Sequence, residues 1–483
     1  MKRYFAFVFI VLSTILFVSM VSAAGNRDDR SVTAGSNANS ETPEVAMAES
    51  NLPALVRALS DGITTRVSVA SDGTEGNFDS YFSSISADGR YVAFLSYASN
   101  LISNDTNATG DIFVYDRQTG QTTRVSIASD GTPTNNGSIS PAISGDGRFV
   151  AFSSVASNLV SSDTNSSQDN FVHDRQTGQT TRVSVASDGT EGNDNSYNPA
   201  ISADGRYIAF YSLASNLVIS DTNGTGDIFV HDRQTGQTTR VSVASDGSEG
   251  NSPSYSSALT ISADGRYVAF QSFSSNLVSG DTNLAIDIFV HDQQTGQTTR
   301  VSVASDGSEG NGSSHYPDIS ADGRYVTFQS EASNLVSGDS NGIEDIFVHD
   351  RQTGQTTRVS IASDGTEGNG TSYYPDISAD GRYVTFNSEA SNLVSEDTNG
   401  MLDIFVNDRQ TGQTTRVSVA SDGTEGNNDS YTSPPTISAD GRYVAFNSYA
   451  SNLVSGDTNG VLDAFVHDRG SEQSQVYLPL VIR

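Results

Sequence analysis

Ile319-Ser-Ala-Asp-Gly-Arg-Tyr-Val-Thr-Phe-Gln-Ser330, then Asp345-Ile-Phe-Val-His-Asp-Arg-Gln-Thr-Gly354, then Thr356-Thr-Arg-Val-Ser-Ile-Ala362: these three blocks recur seven times, nearly unchanged, along a chain of 483 residues. The arginine of Thr-Thr-Arg-Val-Ser stands at Arg66, Arg124, Arg182, Arg240, Arg300, Arg358 and Arg416, in steps of 58, 58, 58, 60, 58 and 58 residues. A fixed period of this size marks a repeat architecture, in which each unit buries its faces against its neighbours.

Each repeat reads as four short strands. Tyr316–Ser320 is a brief extended piece, and Ala-Asp-Gly-Arg turns the chain into the β-branched and aromatic run Tyr325–Ser330. A polar loop, Glu331–Glu344, leads to Asp345–Asp350. Arg351–Gln355 then turns the chain into a fourth strand, Thr356–Ala362. Short strands separated by turn chemistry make an antiparallel meander. Strands two and three carry apolar groups on both faces, as a sheet held between two others requires. Strand four alternates and suits the outer edge, and the first strand is short and small-residued, as a crowded axis demands. The expected fold is all-β: a seven-bladed β-propeller of four-stranded blades. The chain opens on a strand-four block, Ile63–Ala70, and ends on strands one to three, Thr436–Asp468. The N-terminal strand is therefore expected to complete the last blade and close the ring.

Ile-Ser-Ala-Asp-Gly-Arg-Tyr-Val-Ala-Phe followed by Asp-Ile-Phe-Val-His-Asp-Arg-Gln-Thr-Gly resembles the WD-like propeller repeat of TolB-type proteins, and the resemblance covers all seven copies. That family usually has Ser-Pro-Asp-Gly at the turn; here Ala replaces the Pro, and the loop between strands two and three is longer. The resemblance implies a scaffold, a binding platform or a partner of separate catalytic domains.

The flanks read differently. Residues 1–24 have the basic, apolar and small-residue order of a cleavable signal peptide, with cleavage near Ala23 or Ala24 and an uncleaved anchor as the alternative. Residues 25–60 are a polar spacer, 61–469 the propeller, and 470–483 a tail ending in Val476-Tyr-Leu-Pro-Leu-Val-Ile-Arg483. The tail reads as a sorting or anchoring signal or as an added edge strand, with Pro479 against a central position. There is no cysteine, so disulfides, thiolate metal sites and cysteine catalysis are excluded. With 57 acidic and 26 basic residues the net charge is −31, which opposes nucleic acid and anionic lipid.

In a meander, the tight turns Ala-Asp-Gly-Arg and Arg-Gln-Thr-Gly-Gln fall at one end of the blade and both long loops at the other. In the first repeat the long loops carry Asp72, Glu75, Asp105 and Asp111 with no basic residue, whereas the tight turns pair Asp88 with Arg90 and Asp116 with Arg117. The expectation is one strongly negative face, and functional groups concentrate on such loops.

Each long loop ends in Asp-Thr-Asn-x-x-x-Asp or a close variant. The triplets are Asp105/Asn107/Asp111, Asp163/Asn165/Asp169, Asp221/Asn223/Asp227, Asp281/Asn283/Asp287, Asp339/Asn341/Asp345, Asp397/Asn399/Asp403 and Asp457/Asn459/Asp463. Calcium is the candidate cofactor, because alternating oxygen side chains in a tight loop supply several of the six to eight ligands it takes. Three side chains are too few, so carbonyls, water or the neighbouring acidic loop would have to contribute. The alternative is that Asp and Asn form side-chain-to-backbone turns.

The histidines of Phe-Val-His-Asp (His173, His231, His291, His349, His467) become Tyr115 and Asn407 in other copies, which favours strand-end hydrogen bonding over catalysis. His315 is the one histidine elsewhere, in the variable approach to the first strand. No nucleophile elbow, phosphate loop or paired-histidine metal motif is present.

The expected function is thus an exported, non-enzymatic and monomeric binding or scaffolding module using its acidic loop face. Its partner would be a protein or glycan at the cell envelope, in the periplasm, on the cell surface or in the medium, with no nucleic acid and no membrane span in the mature chain. The alternatives are a TolB-like periplasmic partner in an envelope complex and a carbohydrate-active propeller enzyme.

Overall fold

The computed structural model describes residues 62–431 and 434–470, all within one compact unit. The signal segment, the spacer and the tail beyond Gly470 lie outside the described residues. Twenty-eight strands form seven four-stranded antiparallel sheets, with no helix among the described residues. Blade five is Ser314–Ile319, Tyr325–Ser330, Asp345–Asp350 and Gln355–Arg358, paired in chain order. First strands of adjacent blades lie against one another, which sets them around a common axis. This is the expected seven-bladed propeller.

The core lies between blades. One apolar cluster joins Ala269, Ile288, Val290 and Val301 of blade four to Ile319, Val326, Phe328, Leu335 and Phe347 of blade five. Phe328 and Phe347 face each other across strands two and three, stacked at 6.0 Å, and the same pair recurs in every blade. Strand two needs residues that are apolar on both faces because each face meets a different sheet.

Ser-Ala-Asp-Gly forms the first turn through its own side chains. Ser320 Oγ donates to Asp322 Oδ1 at 2.7 Å and accepts from Tyr325 N–H at 2.9 Å. Gly323 must be glycine twice over: its φ is +72°, and a Cβ there would stand 2.1 Å from the Tyr267 ring of the preceding blade. The alanine then reaches the next blade. Ala87 N–H donates to Gly145 O, Gly145 to Ala203, Ala203 to Ala263, Ala263 to Ala321, Ala321 to Ala379, Ala379 to Ala439 and Ala439 back to Ala87, at 3.0–3.1 Å. Seven amides close a circle, and a proline at this turn position has no N–H to donate.

Ile63–Arg66 pairs with Asp463–Asp468 in the register Ile63↔Asp468 to Arg66↔Phe465, so the N-terminal strand completes blade seven as expected. Two expectations about strands are corrected. The fourth strand is Gln355–Arg358, not Thr356–Ala362, because Ile361 leaves the ladder to bridge Glu367 of the following loop. In blades one to six the first strand is neither short nor small-residued, whereas in blade seven it is only Thr436–Ile437. It runs six residues in blade five and carries His315 and Tyr316, because a bulge between His315 and Asp318 turns Tyr316 to φ +51°.

Replacing Ala321 by Pro removes one link of the amide circle. The unfolding free energy should fall by about 1 kcal/mol or more, whereas Ala321→Ser should leave it nearly unchanged. Chemical denaturation of the three proteins measures both.

Candidate functional site

The arginines of the described residues fall into three columns, and their partners decide what each face offers. The first, at Asp-Gly-Arg, grips the aspartate of His-Asp-Arg in its own blade. Arg324 donates Nε to Asp350 Oδ1 at 2.9 Å and Nη2 to Oδ2 at 2.7 Å. Arg90 likewise takes Asp116, so the expected pairing of Asp116 with Arg117 is corrected. The Arg324 and Arg90 forks hold Asp350 and Asp116 below the usual carboxylate range; Asp116 falls to about 2, with the Arg90 hydrogen bond the main cause.

The arginine of Thr-Thr-Arg enters the candidate metal triplets. Arg300 Nη1 lies 3.4 Å from Asp281, 3.2 Å from Asp287 and 2.9 Å from Glu309 of the next loop. The same arrangement joins Arg182 to Asp163, Asp169 and Glu191, Arg240 to Asp221, Asp227 and Glu249, and Arg358 to Asp339, Asp345 and Glu367. It joins Arg416 to Asp397, Asp403 and Glu425, and Arg66 to Asp457, Asp463 and Glu75. Arg124 meets Asp105 and Asp111 only, since Pro133 stands where the other copies have Glu. The reading of the long-loop face as free of basic residues is corrected. An arginine thirteen residues after the last Asp of its triplet is brought over it by the strand pairing Phe289↔Arg300.

These residues do not fit a calcium ion. The guanidinium stands where the three carboxylates converge. Asn283 turns its amide nitrogen, a donor, to Asp287 Oδ2 at 3.0 Å and to Gly310 O at 3.0 Å, and its Oδ1 accepts Ala285 N–H. Asn107, Asn165, Asn223, Asn341, Asn399 and Asn459 do the same toward Asp111, Asp169, Asp227, Asp345, Asp403 and Asp463. The inner Asp287 Oδ1 accepts Ser302 Oγ at 2.5 Å. Among the described residues no group of three His, Cys, Asp or Glu side chains stands in a metal-holding arrangement. Asp-Thr-Asn-x-x-x-Asp is thus an internal latch binding each long loop to the next, with Thr282 Oγ1 donating to Glu309.

The strand-three histidines have a fixed partner. Nδ1 of His173, His231, His291 and His349 lies 2.9 Å from Thr180, Thr238, Thr298 and Thr356, and His467 lies 2.8 Å from Thr64. Asn407 Nδ2 serves Thr414 in the same way, which explains the substitution.

One set of departures from the seven-fold repeat lies at the mouth of the central channel on the long-loop face. The second residue of the inner strand is Tyr81, Ile139, Tyr197, Tyr255, His315 or Tyr373, with Tyr431 at the matching position ahead of blade seven's shorter strand Thr436–Ile437. The residue after strand two is Tyr97, Val155, Leu213, Phe273, Glu331, Glu389 or Tyr449. On one side Tyr81, Tyr97 and Phe78 pack edge to face and line an open cleft of about 510 Å³ with Asp79, Phe82 and Ile139. Phe78 is 55% and Tyr97 46% exposed. On the other side stand Glu331, Glu344, Glu389, Tyr316, Tyr373 and Tyr374. Tyr373 donates to Glu389 at 3.4 Å, and Tyr316 meets Tyr374 edge to face at 4.5 Å. Burial, and next the Glu331 charge, raise Glu344; burial lowers His315.

Deeper in the channel, Asp318 and Asp376 occupy a position that is Ser84, Ala142, Ala200, Thr260 and Thr436 elsewhere. Each accepts a backbone N–H of the next blade, Asp318 Oδ2 from Ile377 at 2.9 Å and Asp376 Oδ2 from Ile437 at 2.7 Å. Burial and the adjoining Asp318 carboxylate push Asp376 well above the usual range. Sequence reading passed over these acids and glutamates because it followed what the copies share. Reading the repeats as columns exposes them.

No protein-family model matches this chain, and no curated protein does. Solved structures similar to it include an oligogalacturonate lyase in complex with manganese (13% identity, TM-score 0.50, covering 85% of this chain and 94% of that one). Others are TolB from Acinetobacter baumannii (16%, 0.40, 68% and 64%) and the acylaminoacyl peptidase of Pyrococcus horikoshii (10%, 0.48, 81% and 52%). The chain thus spans about two thirds of the TolB chain and half of the peptidase. At such identities the likeness shows the β-propeller fold alone.

Two outcomes test the latch. Arg300→Met leaves three carboxylates without their cation and should cost about 3 kcal/mol of stability, and the melting temperature of the parent should be the same in EDTA as in calcium. Asp457 gives a pH signature. Burial first, then the Asp463 carboxylate, push it up to about 6 from 3.8. The folded state therefore holds this proton more tightly than the unfolded chain, and its stabilising effect is lost as pH rises from about 4 through about 6. Burial lowers His173, His231, His291 and His349, which act with the opposite sign. The difference between Asp457→Asn and parent isolates the carboxyl: the variant should gain stability relative to the parent between pH 4.5 and pH 7.5, read from paired melts.

Proposed function

We propose that this protein is an exported, non-enzymatic binding module that holds a basic protein segment at the long-loop mouth of its channel. One observation carries the reading. Exposed aromatic faces and carboxylates ring the mouth, while the arginines of the described residues are engaged in the latches, the turns and the seams between blades. Aromatic faces attract cations, and carboxylates supply the matching charge. The loop-tip aspartates Asp72, Asp130, Asp188, Asp246, Asp306 and Asp364 are exposed in loops that run against the fourth strands, where Ser187 Oγ donates to Thr238 O, and they add a general negative field. Export rests on the N-terminal segment of the sequence. The absence of catalysis belongs to the proposal and is supported by the partners of the channel acids, whose oxygens accept backbone N–H groups. A TolB-like envelope role is compatible with it, since such a partner would meet the same face.

A fluorescent oligolysine peptide should bind, and its dissociation constant should weaken at least about tenfold between 50 and 500 mM salt. Tyr97→Ala and the double variant Glu331→Gln/Glu389→Gln should each weaken it roughly fivefold. An acidic peptide of equal length should not bind. Peptide affinity indifferent to all three mouth positions would refute the reading.

A further inference from the structure

The third arginine column builds the seams between blades, and it has one gap. Arg351, the residue after His-Asp in blade five, places its guanidinium 4.4 Å from the Tyr267 ring centroid of blade four and donates to Gly323 O at 2.5 Å. Arg117 covers Tyr443, Arg175 covers Tyr91, Arg233 covers Phe149, Arg409 covers Tyr325 and Arg469 covers Tyr383 in the same way, at 4.3–4.7 Å. Each of these rings also lies under the arginine that precedes it in its own chain segment, as Tyr267 lies under Arg266 at 4.7 Å. Six of the seven seams are therefore closed by a planar cation stacked on an aromatic face.

The seam between blades three and four is the exception, because the residue after His291-Asp292 is Gln293. Its amide nitrogen still donates to Gly265 O, so the turn keeps its internal bond. The amide is neutral and shorter than a guanidinium, and Tyr207 retains only Arg206 over its ring, at 4.7 Å. An open cleft of about 470 Å³ lies here, lined by Tyr207, Asp232, Thr235, Gln237, Asp264, Gln293 and Arg266, whose guanidinium is turned onto Asp292. The charge is also left unbalanced. At the other seams the two aspartates that correspond to Asp232 and Asp264 face two arginines. Here Arg206 forks onto Asp232 and the second cation is missing.

We propose that this seam is a binding site for a guanidinium group supplied from outside the chain. The protein itself supplies the template: six copies of an aromatic ring (five tyrosines and Phe149), a glycine carbonyl and an aspartate pair already hold a guanidinium. A planar cation with edge donors matches the Tyr207 face and the carboxylates below it, whereas a hydrated ammonium does not stack. The site lies on the tight-turn face and does not depend on the channel mouth.

The test uses the full propeller and two probes, ethylguanidinium and N-acetyl-arginine amide, with ethylammonium as the comparison, followed by ligand-observed NMR at low millimolar concentration. Both guanidinium probes should bind the parent and ethylammonium roughly fivefold more weakly. Binding of ethylguanidinium alone would assign the site to small ligands, and binding of both to an arginine side chain of a partner. Gln293→Arg should fill the slot from within, abolish probe binding and raise the melting temperature. Tyr207→Leu should weaken the probes without filling the slot. Equal binding to parent, Gln293→Arg and Tyr207→Leu, or no difference between guanidinium and ammonium, would overturn the proposal by showing general attraction to an acidic surface. Oligolysine binding at the channel mouth should be untouched by Gln293→Arg, which keeps the two sites separable.

Discussion

Everything in this ring depends on one constraint: each blade must present to its neighbour a surface that its neighbour also presents to the next. The Ser-Ala-Asp-Gly turn meets that constraint at the axis. Its alanine or glycine amide bonds the turn of the following blade, and the seventh amide returns to the first. The glycine of the same turn has no Cβ, so the preceding blade's tyrosine packs flat on the backbone. Backbone bonds on one side and ring packing on the other leave each blade with two obligatory partners. An open edge would expose both, and Ile63–Arg66 closes the last of them.

Charge is organised by the same geometry. A chain at −31 folds into a compact ring because its arginines are placed where carboxylates would otherwise be buried alone. One column forks onto the strand-three aspartate, one stacks on the seam tyrosine, and one gathers two aspartates and a glutamate under the long loops. Little positive charge is left for the channel mouth, and the acids that remain there have aromatic neighbours instead of arginines. The surface available for recognition is a remainder of the folding solution, which is why it differs from blade to blade.

Repetition made the fold legible and the site obscure. Strand-forming runs, Asp-Gly turns and the misplaced strand-four block at the N-terminus are local signals, and they predicted blade count, strand order and ring closure. The Asp-Thr-Asn-x-x-x-Asp loops looked like open oxygen donors because their arginine comes thirteen residues later, outside any loop-sized window. Only the pairing Phe289↔Arg300 and its six counterparts carry it over the carboxylates. The inner strand misled for a related reason. A bulge with positive φ at Phe82, Ser140, Asn198, Tyr316 and Tyr374 admits bulky side chains near an axis where a flat strand would not.

The sequence by itself determined the architecture, since period, turn residues and two-faced apolar strands are properties of neighbouring positions. Tertiary structure alone decided the electrostatics. Whether Asp287 is a ligand, a surface charge or the partner of a buried arginine depends on which strand crosses it. Whether Gln293 leaves an opening depends on a tyrosine eighty-six residues earlier, in the blade before it. Contacts of that range are set by how sheets face each other, and no single repeat records which face its neighbour will bring.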